Sequence, residues 1–60
     1  MKASEHARVW RGASNRLEVH LDKAIKTGRS KTAIGSAAAA TQLALAIADA
    51  YEEEAENASD

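Results

Sequence analysis

The fold of this 60-residue chain is decided at residues 22–32, which read DKAIKTGRSKT. Lys23 and Lys26 lie at the predicted carboxyl end of a helix, where positive charge is favourable. Gly28 follows them, and glycine commonly ends a helix by adopting the left-handed conformation. Ser30 or Thr32 can then cap a new helix. The stretch therefore predicts the end of one helix, a short turn and the start of a second helix.

Before the turn, small and apolar side chains recur at alternating steps of four and three residues. This is a heptad seam, the spacing of one helix face packed against another helix. Ser4 is a good cap for such a helix. We expect a helix over about 4–27, with the seam formed by Ala3, Ala7, Trp10, Ser14, Leu17, Leu21 and Ala24.

After the turn, the chain predicts a second helix over about 32–54, followed by a frayed acidic tail over about 55–60, because acids are disfavoured at the negative end of a helix. Leu43 and Ile47 flank one side of its apolar stripe, and Ile34 and Leu45 flank the other. An apolar arc this wide is typical of a buried helix. The stripe itself consists of Ala33, Ala37, Ala40, Ala44, Ile47, Tyr51 and Ala55.

Two such helices, each about 33 Å long and joined by a turn at about 28–31, fold back antiparallel. A turn centred near residue 29 or 30 places Trp10 opposite Ala48 and Asp49. The core of one hairpin is thin: 15 of the 27 apolar residues are alanine, and cysteine is absent. Chains this small usually need a disulfide, a metal or self-association.

We therefore expect an all-α fold, a two-helix antiparallel hairpin with alanine-rich, coiled-coil-like packing that dimerises into a four-helix bundle. The residues predicted to carry self-association are Trp10, Leu17, Leu21, Ala37, Ala40, Leu43, Ala44, Ile47 and Tyr51.

Charge is strongly polarised along the chain. Residues 1–31 hold all eight bases against three acids, a net charge of +5, and residues 32–60 hold six acids and no base, a net charge of −6. A basic turn formed by Lys23, Lys26, Arg29 and Lys31 is a candidate surface for nucleic acid or phosphate. The simpler interpretation is that the glutamates at 52–56 neutralise bases of the first helix across the hairpin.

A stripe on the outer side of the first helix predicts a contact with another protein. It contains Val9, Gly12, Arg16 and Val19. Glycine inside a helix costs on the order of 1 kcal/mol relative to alanine, so a close approach by another backbone would explain Gly12. The alternative is that these are tolerated surface residues.

Several classes of function are disfavoured. The chain has no catalytic triad, carboxylate pair or metal-ligand spacing, and His6 and His20 are too far apart along one helix to share a metal. We expect no enzyme activity and no cofactor. The uncharged run at 33–48 has 16 residues, short of the roughly 20 that span a bilayer, so we expect a cytoplasmic protein and no membrane insertion.

In plan, the chain resembles the repressor-of-primer family, small RNA-binding proteins that are dimers of helical hairpins. The resemblance covers the whole chain in length, single turn and heptad layers of alanine and leucine, but no specific motif. It implies a dimeric hairpin plan and assigns no RNA-binding residue. We expect a non-catalytic, self-associating helical adaptor or inhibitor that binds another protein; the alternative is a nucleic-acid-binding regulator that uses the basic turn and the first helix.

Overall fold

The computed structural model describes residues 1–58 and contains two α-helices. Helix α1 spans Ala3–Lys26 and helix α2 spans Lys31–Ala58. The two helices pack against each other along their length and form a rod 45 Å long and 13 to 14 Å across. The predicted helical hairpin is confirmed.

The turn has the geometry that its sequence predicts. Gly28 has φ +72°, the left-handed conformation that glycine adopts without steric cost. The amide of Gly28 donates to the carbonyl of Ile25 at 3.2 Å, and the amide of Arg29 donates to that of Ala24 at 3.0 Å. This pair of bonds is a Schellman motif, which satisfies carbonyls at the end of α1. Ser30 caps α2 by accepting a hydrogen bond from the amide of Ala33 at 3.1 Å.

The start of α1 differs from the prediction. Ser4 lies inside the helix, and Lys2 occupies the cap position without a side-chain capping bond. The Lys2 carbonyl instead accepts hydrogen bonds from the amides of Glu5 and His6, each at 3.0 Å. Ala3 is half-buried, so the earlier start adds a residue of the seam to the helical contact.

The end of α2 also differs, because α2 continues through Ala58, four residues beyond the predicted end. Ala55 is half-buried, which gives the last turns a packing contact that offsets unfavourable charge at the helix end. Of the tail predicted to fray over 55–60, Ser59 and Asp60 lie outside the described residues.

The seam of α1 matches the predicted heptad spacing in part. Ala7, Ser14 and Ala24 are its buried residues, whereas Trp10, Leu17 and Leu21 of the predicted seam are not buried in the contact. The seam of α2 is shifted by one position from the predicted stripe. Its buried residues are Thr41, Ala44 and Ala48, whereas the prediction had Ala40 and Ile47 in the places of Thr41 and Ala48. Both Ala40 and Ile47 are half-buried and flank the seam.

Thr41 is buried because all its polar groups are satisfied. Its hydroxyl donates to the carbonyl of Ala37 at 2.8 Å, and its own carbonyl accepts a long hydrogen bond from the Ser14 hydroxyl at 3.4 Å. Ser14 therefore faces Thr41, and the ring of His6 stacks on Tyr51. The residue numbers of these two pairs sum to 55 and 57, whereas the predicted pairing of Trp10 with Ala48 and Asp49 corresponds to 58 and 59. The turn between Lys26 and Lys31 centres near residue 28 or 29, slightly earlier than predicted.

The seam is built of small side chains. Among the described residues, no large side chain is fully buried, and the core consists of alanines together with Ser14 and Thr41. Trp10, Leu17 and Leu21 are only half-buried. Small side chains let the two helix backbones approach closely, but they leave most of the larger apolar groups at the edge of the contact.

Candidate functional site: two unlike sides of the hairpin

The two long sides of the hairpin differ in polarity. On one side, Arg11 of α1 reaches across to α2, where its guanidinium donates to Asp49 at 2.9 Å and also to Glu52. Both hydrogen bonds raise the pKa of Arg11 above its ordinary value, and the one to Asp49 has the larger effect. We call this the polar side. It carries a groove lined by polar residues, among them Asn15, Glu18 and Gln42, and also by Leu21 and Leu45.

The other side of the hairpin is marked by His6 and Tyr51, whose rings stack with centroids 4.6 Å apart and planes 17° apart. Residues three or four apart lie on the same side of a helix. The α1 residues at such spacings from His6, together with the α2 residues at such spacings next to Tyr51, therefore form one surface. We call this surface the apolar face. It consists of Trp10, Ala13, Leu17, Ala40, Leu43, Ile47 and Ala50.

Leu43 is the most exposed large side chain of the apolar face. Its relative exposure is 63%, whereas Ile47 one turn later is half-buried. The four α2 residues of the face follow one another at steps of three, four and three, the spacing of a heptad seam. Helix α2 therefore has heptad spacing on two faces, the one packed against α1 and the outward apolar face.

The residues predicted to carry self-association do not share one surface, since Leu21, for example, lines the groove on the polar side. Ala44 is buried in the seam between α1 and α2, and Leu43 is exposed; the others are half-buried. Their role in dimerisation stays a prediction. The residues predicted for self-association did not include Thr41, Ala48 and His6. Thr41 is polar, which argued against a buried position, and the stacking of His6 on Tyr51 requires a helix register two positions from the one expected.

The outer stripe of α1 lies away from the seam with α2. Val9 is 53% exposed and Val19 is 69% exposed, and Arg16 is exposed beside them. A Cβ atom at Gly12 would lie 3.5 Å from the Arg16 Nη1 atom, an ordinary van der Waals distance. The hairpin itself thus gives no reason for a glycine here, and the predicted protein contact stays a prediction.

The predicted basic turn is divided by the fold. His20, Lys23 and Arg29 line one groove of about 220 Å³ between the ends of the two helices. We call it the turn groove. Ala33 and Ala37 form its α2 wall, and no acidic residue lines it. Lys26 and Lys31 are exposed at the same end of the rod but do not line the groove.

The expected neutralisation of acids by bases across the hairpin is confirmed at Arg11, which pairs with Glu52. It also pairs with Asp49, which the prediction omitted. At the same end, Arg8 and Glu56 line a common groove with Arg11. Within residues 1–58, the cross-helix ion pairs are those of Arg11.

Two further properties bear on the function classes. Over the described part of the chain, no group of three or more histidine, cysteine, aspartate or glutamate residues could hold a metal ion. Helix α2 is long and apolar enough, by length and composition, to cross a membrane, with a mean hydropathy of 1.3 over its best window. One such helix is weak evidence for a membrane span, because the core helix of a soluble protein and a signal sequence meet the same criterion; 17% of this window is buried in the hairpin.

No protein-family model, curated protein or solved structure matches the chain.

Proposed function

We propose that this chain is a non-catalytic helical protein that associates with itself through the apolar face and acts by binding another protein. Two hairpins that pack face to face would form a four-helix bundle. The observation that carries the proposal is Leu43, a large aliphatic side chain 63% exposed at the centre of a heptad-spaced apolar surface. The occupant of this surface is a second copy, which brings the same alanine and leucine layers.

The size of the hairpin supports self-association. A standard interface buries about 800 Å² on each partner, roughly a fifth of the 4393 Å² surface of this hairpin. Full burial of a leucine or isoleucine side chain contributes about 1.5–3 kcal/mol. Leu43, Ile47, Trp10 and Leu17 retain part of that surface in a single hairpin, and a second copy would remove it from water.

The outer stripe of α1 supports binding to a different protein. Val9 and Val19 are exposed and lie with Gly12 and Arg16 on a part of α1 that points away from α2. Because none of these four residues belongs to the apolar face, a bundle of two hairpins would leave the stripe accessible. The bundle would then present two such stripes, one on each copy.

The test of self-association is sedimentation equilibrium from about 1 µM to 1 mM, a range that covers dissociation free energies of about 4–8 kcal/mol. We expect a mass near twice the 6.4 kDa of one chain. Leu43→Glu should raise the dissociation constant at least about a hundredfold, because each of two copies loses roughly 1.5 kcal/mol or more of apolar burial.

The matched control is Gln42→Glu, which adds the same negative charge one residue away on the polar side of α2. It should leave the dissociation constant nearly unchanged. A wild-type protein that is monomeric throughout this range would refute the proposal. So would equal dissociation constants for the two variants.

Binding to another protein is tested by capture on the tagged chain from cells that express it, followed by measurement of the affinity of the purified pair. Val19→Asp should weaken that affinity and leave the dimer intact. Asn15→Asp is the control, since Asn15 is exposed on the polar side of α1. An unchanged affinity for Val19→Asp would exclude the outer stripe as the binding surface.

A further inference from the structure

We propose that the turn groove is the docking site for the acidic end of α2 of a second copy, so that two hairpins associate with opposite ends together. The inference rests on the proposed self-association and adds its orientation and the residues that determine it. The groove lies on the same side of the hairpin as the apolar face, because Ala33 precedes Ala40 and Ile47 at steps of seven along α2.

The turn groove carries positive charge that no acidic lining residue neutralises. Lys23 and Arg29 line it together with His20, and its remaining lining residues are Ala24, Thr27, Ala33 and Ala37. Among the described residues, the ion pairs belong to Arg11, at the other end of the rod. No acidic side chain of residues 1–58 lines this groove, so its positive charge is available to a negatively charged partner on another molecule.

The acidic residues of α2 lie on different sides of the helix. Asp49 and Glu52 contact Arg11 on the polar side, and Glu56 lies at the same side, in a groove with Arg8. Glu54 follows Ile47 by seven residues and Ala50 by four, so it continues the apolar face. It is exposed and has no ion pair within residues 1–58. Glu54 thus extends the surface on which a second copy would lie.

The two ends of the hairpin carry opposite net charge. Residues 20–36 hold four bases against Asp22, a net side-chain charge of +3, whereas residues 1–12 and 49–58 together hold three bases against six acids, a net charge of −3. The rod is 45 Å long, several times the Debye length of about 8 Å, so each end interacts only with what lies beside it. A parallel pair would place like charges together at both ends, and an antiparallel pair places opposite charges together.

The orientation is tested by a distance between spin labels. The chain has no cysteine, so Thr32→Cys adds a single labelling position at the turn end, outside the residues that line the turn groove. In an antiparallel dimer the two labels should lie apart by a large part of the 45 Å rod. A dimer whose labels lie close together would overturn the inference and leave the proposed self-association standing.

The residues are tested by charge reversal. Glu54→Lys should raise the dissociation constant about tenfold, because a two-fold dimer contains two such contacts and each changes from attraction to repulsion. Glu56→Lys makes the same charge change two residues away on the polar side and should have a much smaller effect. Lys23→Glu should weaken association like Glu54→Lys, and the double variant should recover most of the loss.

Equal effects of Glu54→Lys and Glu56→Lys would overturn the inference, as would a double variant no better than the singles. A nucleic acid in the turn groove is the competing outcome. It would appear as retained, nuclease-sensitive material that Lys23→Glu loses, with a dissociation constant of the protein dimer that Lys23→Glu leaves unchanged. A monomeric wild-type protein would remove both this inference and the proposed self-association.

Discussion

The left-handed conformation of Gly28 permits a prediction whose sign and size come from the backbone alone. Gly28 has φ +72°, and a Cβ atom added there would meet no other atom within 4 Å. Gly28→Ala therefore introduces no clash with the rest of the fold. Its cost is that of holding an L-residue in the left-handed region, about 1–2 kcal/mol.

Gly35 is the matched position, because it lies inside α2, is exposed, and likewise has open space where a Cβ atom would be. Gly35→Ala should stabilise the hairpin by about 0.5–1 kcal/mol, since alanine loses less backbone entropy than glycine when a helix forms. The same chemical change is thus expected to act in opposite directions at two positions seven residues apart.

The assay is thermal unfolding followed by far-ultraviolet circular dichroism, with all variants at one protein concentration because association would shift the midpoint. For a domain of this size 1 kcal/mol corresponds to about 4–8 °C. We expect Gly28→Ala to lower the Tm by roughly 4–16 °C and Gly35→Ala to raise it by a few degrees. A Gly28→Ala variant as stable as the wild type would refute the Schellman turn as a determinant of the fold.

Three further predictions concern the seam, the outer stripe and the ion pairs. Ala48→Leu should destabilise the hairpin by about 1–3 kcal/mol through overpacking, because Ala48 is 0% exposed, whereas Ala46→Leu on the exposed side of α2 should be tolerated; equal urea midpoints would contradict the close seam. Gly12→Ala should raise the Tm and, if the outer stripe binds a protein, weaken capture of that protein; retained capture would exclude a close backbone approach. Arg11→Gln should lower the Tm slightly at low salt and by less at high salt. The raised pKa of Arg11 means that its contribution is complete below the ordinary pKa of arginine and is lost only as pH rises through the higher folded value, so alkaline titration up to that range should leave the Tm difference unchanged.

Much of the hairpin could be predicted from residue types. Gly28 and Ser30 have local roles that depend only on their neighbours in the chain, and the structure has both where the sequence predicts them. The buried positions of the α1 seam, Ala7, Ser14 and Ala24, could be predicted because they follow the heptad spacing. These features require no knowledge of what the second helix does.

The α2 seam could not be assigned in the same way. Helix α2 has apolar residues around most of its circumference, so several stripes satisfy a helical period equally well. The choice was made by contacts between the helices: Ser14 opposite Thr41 and His6 on Tyr51. A buried threonine was missed because its hydroxyl finds a carbonyl of its own helix, which residue type alone does not reveal. The difference between the polar side and the apolar face depends on this register, so it could not be predicted from the sequence either.

The single turn also determines the order in which the hairpin opens. Contacts near Gly28 are between residues close together in the chain, such as those around Ala24 and Ala33. At the open end, the residues around Ala3 lie near those around Ala55, a separation of about fifty residues along the chain. Closing a longer loop costs more entropy, so helix pairing should begin at the turn and the far end should separate first. Amide hydrogen exchange should accordingly be slowest near the middle and turn-side parts of the helices and fastest at the open end, and a second copy that docks Glu54 into the turn groove would clamp the end that opens most easily.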